Sequence, residues 1–277
     1  MGRTRIATNY KMLVLDIDGT LINQAGAISS SDRSAISCVK EKHLTITICT
    51  GRSTGASLNI LNELQLDGAH IFFDGTLVYD PFKDIEVYSK PLPLDLIEEI
   101  TDYALKESLP LDLFSRNRYF AIEKSWRTDL RKTFFNVEAT ITDLSTIWKK
   151  EKIIKGGMAV RTPDEISGVK KFAGHFAQRL NLTWTVTPAF PDIQFINITN
   201  RNTSKGQALE ALCYHLAVPL ENVCSIGDGL NDISLLSTSG LGIAMRNAPP
   251  ELKAVADHVT GDVAESGVAE AIRRFLL

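Results

Sequence analysis

Four aspartates directly follow two apolar segments that are far apart in the sequence. Asp16 and Asp18 follow the run Met12–Leu15, and Asp228 and Asp232 follow a second apolar run. If both runs are strands of one parallel sheet, their carboxyl ends meet at one edge and bring the four carboxylates together. Such a cluster needs a cation, and Mg²⁺ prefers oxygen ligands. The sequence therefore predicts metal-assisted chemistry on an anionic substrate, for which a phosphate ester fits best.

The first pair of aspartates suits the hydrolysis of a phosphate monoester. Asp16 comes first after the strand and can act as the nucleophile, forming an aspartyl-phosphate. Asp18 lies two positions further on, so in extended geometry its side chain leans the same way. It can protonate the leaving group and later deprotonate water. This division of labour requires Asp16 to be ionised and Asp18 to be protonated at the first step.

Three further residues can supply donors and positive charge at the same edge. Thr50 and Gly51 end a second predicted strand and offer a hydroxyl and backbone N–H groups. Lys205 precedes a predicted helix, and its ammonium group could neutralise both Asp16 and a bound phosphate. A negatively charged phosphoryl group requires oriented donors of this kind.

The second acidic segment adds a metal ligand and two orienting groups. Asp228 is its best candidate ligand for the metal. Asn231 and Asp232 follow where a helix should begin, so we expect them to orient phosphate or metal-bound water.

The elements that position these residues follow from the hydrophobic pattern. Short apolar runs alternate with helical patterns in both end portions of the chain. This alternation predicts an α/β fold, a Rossmann-like three-layer core with a parallel sheet between helices. We predict strands at 12–15, 45–49, 70–73, 222–226 and 241–244, and helices at 29–42, 55–64, 205–216, 231–236 and near residues 250 and 268.

The alternation is lost in the middle of the chain, where we predict an inserted α+β cap domain. Prolines such as Pro91 and Pro191 stand near both junctions. We therefore predict a catalytic core made of residues 1–83 and 192–277, and a cap of residues 84–191 that sets substrate specificity.

Composition narrows the class of protein. The chain has 277 residues, of which 44% are hydrophobic and 23% are charged, as is ordinary for a globular protein. Its formal net charge of −3 argues against a nucleic-acid partner. No apolar run is long enough to span a bilayer, so we expect no membrane partner. The basic start, residues 1–11, lacks the apolar segment of a secretory signal, so we expect a short tail and a cytoplasmic protein.

The four cysteines carry no metal-binding or disulfide pattern. They form no CxxC pair, and they stand in apolar surroundings, so we expect buried, reduced thiols. They are Cys38, Cys49, Cys213 and Cys224.

Taken together and in order, the polar segments resemble the four motifs of the haloacid dehalogenase superfamily. The insertion between the second and third motifs resembles a C2-type cap. Two later segments, 242–248 and 266–268, resemble the Cof subfamily (class IIB) of sugar-phosphatase-like enzymes. The motif residues are Asp16-x-Asp18-Gly-Thr, Thr50-Gly-Arg, Lys205-Gly and Gly-Asp228-x-x-Asn231-Asp232.

This resemblance implies a phosphoric monoester hydrolase that acts on a small phosphorylated metabolite, such as a sugar phosphate. It implies that Mg²⁺ is held by the Asp16 carboxylate, the Asp18 backbone carbonyl and the Asp228 carboxylate. Asp232 would not bind the metal directly but would lie next to these ligands. Thr50 and Lys205 would join the two aspartates of the first motif in catalysis. Phosphate would contact the Ile17 backbone, Thr50, Gly51, Lys205 and Asn231.

One segment departs from the pattern of the superfamily. Phe73-Asp74-Gly75-Thr76 stands where relatives usually place an asparagine-glycine-alanine turn. We expect the extra acid at Asp74 to alter the crevice or the cap hinge, while the core mechanism stays intact.

Several alternative interpretations compete with this prediction. A calcium loop starting at Asp16 would need glutamate at its twelfth position, which is Ala27. The DxD motif of a nucleotide-sugar transferase would leave Lys205 and Asp228 unexplained. A phosphotransferase or phosphomutase could use the same aspartyl-phosphate, and a non-enzymatic regulatory protein could use the same scaffold.

Overall fold

The computed structural model describes residues 10–23, 26–187 and 190–277; most of the predicted tail, residues 1–9, lies outside these ranges. In the described residues the strands are β1 (Met12–Leu15), β2 (Thr45–Ile48), β3 (His70–Phe72), β4 (Leu77–Asp80), β5 (Ile85–Ser89), β6 (Leu111–Phe114), β7 (Tyr119–Ala121), β8 (Ala139–Ile141), β9 (Lys155–Val160), β10 (Leu180–Thr187), β11 (Phe190–Asn200), β12 (Val223–Gly227), β13 (Leu241–Ala244) and β14 (His258–Val259). The α-helices are α1 (Ser30–Glu41), α2 (Thr54–Leu64), α3 (Leu94–Lys106), α4 (Trp126–Phe135), α5 (Leu144–Ile147), α6 (Pro163–Phe176), α7 (Lys205–Leu216), α8 (Ile233–Thr238), α9 (Pro250–Val255) and α10 (Gly267–Phe275).

These elements form two compact units. The first contains the described residues of Met1–Gly51, together with Ile60–Tyr88 and Ser204–Leu277. The second contains Arg52–Asn59 and Ser89–Thr203.

A five-stranded parallel sheet forms the centre of the first unit. Its strand order is β14-β13-β12-β1-β2, and each neighbouring pair is parallel. The chain steps outward from β1 to β2 on one side and from β12 to β14 on the other. The strand order therefore reverses between β1 and β12, and ligands of open parallel sheets bind beyond the carboxyl ends of the strands at such a point.

Both faces of β1 are buried, as a three-layer arrangement requires. Met12 and Val14 on one face pack in a cluster with Leu209 of α7. Leu13 and Leu15 alternate to the opposite face and are also fully buried. Helices α1 and α10 pack against each other, as do α7 and α8. The predicted Rossmann-like α/β core is confirmed.

The prediction for the third strand is wrong in one respect. We expected β3 in the parallel sheet, but its parallel pairing with the β2 segment is a single bridge between Cys49 and Ile71. Instead β3 forms an antiparallel hairpin with β4, and β5 completes a three-stranded sheet. The physical reason is the sharp turn Phe73–Gly75, which sends the chain back after only three residues of strand.

The second unit is an α+β structure with its own core. Its six strands have the order β10-β11-β9-β6-β7-β8, with only β7 and β8 parallel. Buried apolar side chains from the sheet and from helices α3 and α6 pack together, among them Ile100, Leu113, Met158, Phe172 and Ile196.

The division between the units falls at different residues from those predicted. Strand β11 pairs with β10 from Gln194 to Asn200 and with β9 from Gln194 to Ile198, and the predicted boundary at residue 192 lies inside this strand. Strand β5 lies beside β4 in the first unit, beyond the predicted boundary at residue 83. The segment Arg52–Asn59 also belongs to the second unit.

Two further predictions bear on the class of protein. No helix in the described ranges combines the length and apolar character needed to cross a membrane. All four cysteines are free, and Cys49, Cys213 and Cys224 are buried. Cys38 is exposed on α1, contrary to the expectation that all four are buried.

Candidate active site

The loop after β1 presents two aspartates in different environments. The N–H of Asp16 donates to the carbonyl of Ile226 at 3.0 Å, which continues the pairing of β1 with β12 and keeps this residue buried. The chain then turns, because the Ile17 carbonyl accepts from the N–H groups of Leu21 and Ile22, both at 2.9 Å. This turn leaves Asp18 exposed at the surface of the unit.

A buried lysine joins the first and last acidic segments. Nζ of Lys205 lies 2.6 Å from Oδ1 of Asp16 and 2.6 Å from Oδ1 of Asp232. The lysine side chain is completely inaccessible to solvent. Lys205 is the first residue of α7, and the hydroxyl of Ser204 caps the helix by accepting from the N–H of Gln207. The helix start thus places the ammonium group between two carboxylates.

Asp232 is fully engaged in hydrogen bonds. Its second oxygen, Oδ2, accepts from the backbone N–H of Asp228 at 3.0 Å and of Gly229 at 2.9 Å. It lies in a short 3₁₀ turn, Leu230–Asp232, immediately before α8. With Lys205 on one oxygen and two N–H groups on the other, this carboxylate shapes the loop that carries Asp228.

Asp228 accepts hydrogen bonds only from neutral groups among the described residues. Thr20 donates its hydroxyl to Oδ1 at 2.8 Å, and Asn247 lies with Nδ2 3.4 Å from Oδ2. The same Asn247 amide donates to the Gly19 carbonyl at 2.9 Å. A Cβ on Gly19 would lie 2.2 Å from Oδ2 of Asp228, and its φ of 88° favours glycine.

The carboxylates exceed the positive charge available to them. Asp16, Asp228 and Asp232 have oxygens within 4.8 Å of one another. Burial raises the pKa of Asp16 well above its usual value, although Lys205 opposes this shift. Burial raises the pKa of Asp228 to about 7, and the nearby Asp232 carboxylate adds to that rise. Burial alone would lower the pKa of Lys205, but Asp16 and Asp232 hold it well above its usual value. A divalent cation would reverse the shifts of the carboxyl groups.

A second group of predicted residues is connected by Asp74. Thr50 continues from β2, where its N–H donates to the Ile71 carbonyl at 2.9 Å and its own carbonyl accepts from Asp74 N–H at 3.0 Å. The Asp74 carboxylate accepts from Nδ2 of Asn231 at 2.8 Å. It also lies against Gly51, since a Cβ there would be 2.9 Å from Asp74 Oδ1.

The structure therefore brings the predicted site residues into one unit. Oxygens of Asp16, Asp228 and Asp232 lie within 4.8 Å of one another, and Nζ of Lys205 contacts Asp16 and Asp232. The Asp18 side chain is not part of this carboxylate cluster, so the prediction that all four carboxylates come together is wrong for Asp18, which the turn after β1 leaves exposed.

Two residues of this site were missed in the sequence analysis. Thr20 and Asn247 both donate to Asp228, although we gave neither a role. The available signal was position: Asn247 follows the carboxyl end of β13, at the same edge of the sheet as Asp16 and Asp228.

A sequence model of haloacid dehalogenase-like hydrolases matches residues 13–272. The chain belongs to this family. The resemblance inferred from the four motifs is confirmed, and so is the enzyme class, a phosphoric monoester hydrolase of the haloacid dehalogenase type.

Curated relatives of this haloacid dehalogenase-like hydrolase include several phosphatases. The 5-amino-6-(5-phospho-D-ribitylamino)uracil phosphatase YcsE of Bacillus subtilis is 29% identical, with 100% of both chains covered. Pyridoxal phosphate phosphatase YbhA of Escherichia coli is 27% identical, and the match covers 96% of this chain and 99% of that protein. Endoribonuclease YBEY, chloroplastic, of Arabidopsis thaliana is 29% identical, but the chain spans only 46% of its length.

Solved structures share the fold. A haloacid dehalogenase-like hydrolase from Bacteroides thetaiotaomicron matches with a TM-score of 0.82 and 25% identity, over 96% of this chain and 99% of that chain. The HAD subclass IIB sugar phosphatase BT4131 matches with a TM-score of 0.76 and 24% identity, over 96% of this chain and 98% of that chain.

Proposed function

We propose that this hydrolase is a Mg²⁺-dependent phosphatase that cleaves a small phosphorylated metabolite through an aspartyl-phosphate on Asp16. The observation that carries the proposal is the contact between Asp16 and Lys205 inside a cluster of three carboxylates. The Lys205 ammonium group opposes the rise in the pKa of Asp16 that burial causes. A hard cation, to which the carboxylate cluster is suited, would add to this effect and favour the ionised Asp16 that a nucleophile requires.

The donor set supports a magnesium site on Asp16 and Asp228. Oδ2 of Asp16 accepts no hydrogen bond from the part of the chain that the structure describes, and Asp228 has only neutral partners there. Asp232 is less suitable because both of its oxygens are already engaged. The backbone carbonyl of Asp18 is the proposed third ligand. Mg²⁺ bound there would polarise a phosphoryl oxygen and offset the repulsion between carboxylates and ester.

The proposed reaction uses the two aspartates of the first loop in turn. A carboxylate oxygen of Asp16 attacks phosphorus while the bond from phosphorus to the ester oxygen breaks. Asp18 gives its proton to the leaving alkoxide, and its exposed position allows it to exchange protons with water. The Asp18 carboxylate then takes a proton from water as the water attacks the aspartyl-phosphate, which releases phosphate and regenerates Asp16.

The remaining residues are proposed to bind the phosphoryl group. Lys205 supplies positive charge, and the Ile17 backbone, Thr50, Gly51 and Asn231 supply oriented donors. Two contacts of the Asp74 carboxylate support this grouping. It accepts a hydrogen bond from the Asn231 amide, and it lies close to Gly51.

The substrate class is proposed from the site and from the relatives. Two relatives carry the names of phosphatases for phosphorylated small molecules, pyridoxal phosphate among them. We propose a small phosphate monoester such as a sugar phosphate. The second unit, most of which is the segment Ser89–Thr203, is proposed to act as the cap that sets specificity.

A panel of phosphate monoesters tests this function. The panel contains hexose and pentose phosphates, pyridoxal phosphate and p-nitrophenyl phosphate, each assayed for phosphate release with Mg²⁺. We expect the wild-type protein to release phosphate from at least one ester, and excess chelator to abolish this turnover. The Asp16→Asn variant should show no turnover. An increase in turnover with added alcohols, accompanied by a new phosphate ester, would identify a phosphotransferase instead. No turnover across the panel would favour a non-enzymatic role.

A further inference from the structure

Asp74 occupies a turn whose backbone is held in an uncommon conformation. Phe73, Asp74 and Gly75 have φ values of 53°, 56° and 90°, all in the left-handed region. Side chains at the first two positions make this conformation strained, and strain of this kind often accompanies functional sites. The N–H and hydroxyl of Thr76 both donate to the Phe73 carbonyl, at 3.1 and 2.8 Å, which stabilises the turn.

The turn is also fixed by its neighbours. A Cβ on Gly75 would lie 2.3 Å from the Ser204 carbonyl, so the turn packs directly against the residue that precedes Lys205. The N–H of Asp74 donates to the Thr50 carbonyl at 3.0 Å. The backbone of Asp74 is therefore anchored between two segments of the proposed phosphate site.

The Asp74 side chain completes the arrangement. One of its oxygens accepts from the Asn231 amide at 2.8 Å and lies close to Gly51. An amide NH₂ group carries two hydrogens, so this contact uses one and fixes the direction of the other. The amide oxygen of Asn231 faces Gly229, where a Cβ would be 2.4 Å away. The carboxylate accepts only from the NH₂ end, so it determines which way the amide points.

We propose that Asp74 is a positioning residue that orients Asn231, so that the second amide hydrogen is held ready for the phosphoryl group. This inference rests on the proposed phosphatase function and on the place of Asn231 in the phosphate site. Asn231 is exposed, and without a partner its side chain would sample several rotamers. A charged acceptor restrains it before the substrate arrives, which lowers the entropic cost of binding.

A double-mutant cycle tests the inference. Asp74→Ala and Asn231→Ala should each lower kcat/KM for p-nitrophenyl phosphate roughly tenfold, in the range typical of residues that support a ligand. The double variant should be no worse than Asn231→Ala alone, because Asp74 acts through Asn231. Asp74→Asn retains an acceptor oxygen for the amide and should recover most of the loss.

Binding of inorganic phosphate provides a readout that does not need turnover. Each variant is titrated with phosphate in the presence of Mg²⁺ by isothermal titration calorimetry. Asp74→Ala and Asn231→Ala should bind phosphate more weakly than the wild type, and the double variant should bind it no more weakly than Asn231→Ala alone. Asp74→Asn should recover most of the affinity. Asp67→Asn is the matched control: Asp67 is an exposed carboxylate that precedes β3, whereas Asp74 follows it. This control should leave kcat/KM and phosphate affinity unchanged. If Asp74→Ala fails to fold, Asp74→Ser replaces it in the cycle.

Independent, additive effects of Asp74→Ala and Asn231→Ala would overturn the inference, as would an Asp74→Asn variant as impaired as Asp74→Ala. Failure of the proposed function has a different signature. In that case the wild-type protein would hydrolyse no ester, while the cycle measured by phosphate binding would still decide the role of Asp74.

Discussion

Nζ of Lys205 lies 2.6 Å from Oδ1 of Asp232, a residue 27 positions further along the chain. The other oxygen of Asp232 binds the backbone N–H groups of Asp228 and Gly229. Lys205 also contacts Asp16. One ammonium group therefore connects the proposed nucleophile Asp16 to the loop that carries the proposed metal ligand Asp228. Its positive charge balances the buried carboxylates of Asp16 and Asp232.

Removal of this charge should destabilise the fold. Lys205→Met keeps the length of the side chain but leaves two buried carboxylates without a cation, which typically costs about 3–5 kcal/mol. We expect the free energy of unfolding, measured in urea at neutral pH, to fall by an amount of this order. The loss should shrink at acidic pH, because burial raises the pKa of Asp16 and favours its neutral form there.

Two further variants show whether the effect comes from unpaired charge. Lys205→Met combined with Asp232→Asn removes one of the stranded carboxylates and should recover part of the stability. Lys132→Met breaks an exposed ion pair with Glu138 and should change stability much less. A Lys205→Met protein as stable as the wild type would contradict the charge balance described for this site.

Thr20 should control the affinity for magnesium. Its hydroxyl is the short, 2.8 Å donor to Asp228, and Thr20→Val removes it with little change in shape. Loss of a group that orients a metal ligand typically weakens binding at least tenfold. Isothermal titration with Mg²⁺ should show a dissociation constant raised by roughly that factor. Thr20→Ser keeps the hydroxyl and should bind Mg²⁺ nearly as the wild type does; equal affinity in Thr20→Val would exclude the proposed orienting role.

His70 should make stability depend on pH. Its buried ring accepts from the Ile48 N–H at Nδ1, so protonation there breaks a hydrogen bond to β2. Burial lowers the pKa of His70 from 6.5 to about 4. Between these values the unfolded chain binds more protons than the folded one. The contribution to stability is therefore complete above pH 6.5 and is lost as the pH falls towards 4, by about 3 kcal/mol at most.

Urea unfolding of His70→Asn between pH 4 and pH 7 isolates this contribution. The variant should show a smaller loss of stability on acidification than the wild type. His215→Asn, at an exposed histidine, should retain the wild-type dependence on pH. Parallel curves for wild type and His70→Asn would show that another group is responsible.

The hydrophobic pattern predicted the elements that carry the site. Strands β1 and β13 and helix α7 have the predicted bounds, because continuous apolar runs and a clear helix start define them locally. The convergence of Asp16 and Asp228 followed from one rule about the carboxyl ends of parallel strands. That rule needs no knowledge of which strands are neighbours.

Features that depend on tertiary contacts were not predictable in the same way. The hairpin after β3 was missed although Asp74-Gly75, between apolar runs, is a recognised turn signal. The predicted boundary at residue 192 lies inside strand β11, whose extent is set by its pairing with β10 and β9. The hydrogen bond between Asp74 and Asn231 joins residues 157 positions apart, and nothing in either local sequence specifies it.

The phosphorylated enzyme provides the most direct test of the account, whose central claim is that Asp16 is the nucleophile and Asp18 handles the proton. Rapid quenching followed by intact-mass analysis should detect no covalent phosphate on Asp16→Asn with any substrate. Asp18→Asn should hydrolyse sugar phosphates roughly a hundredfold more slowly, because the alkoxide leaves without a proton. With an activated aryl phosphate, whose leaving group needs little protonation, the same variant should accumulate aspartyl-phosphate. A hydroxylamine-sensitive phosphoenzyme formed by Asp16→Asn at the normal rate, or normal turnover of sugar phosphates by Asp18→Asn, would contradict the account.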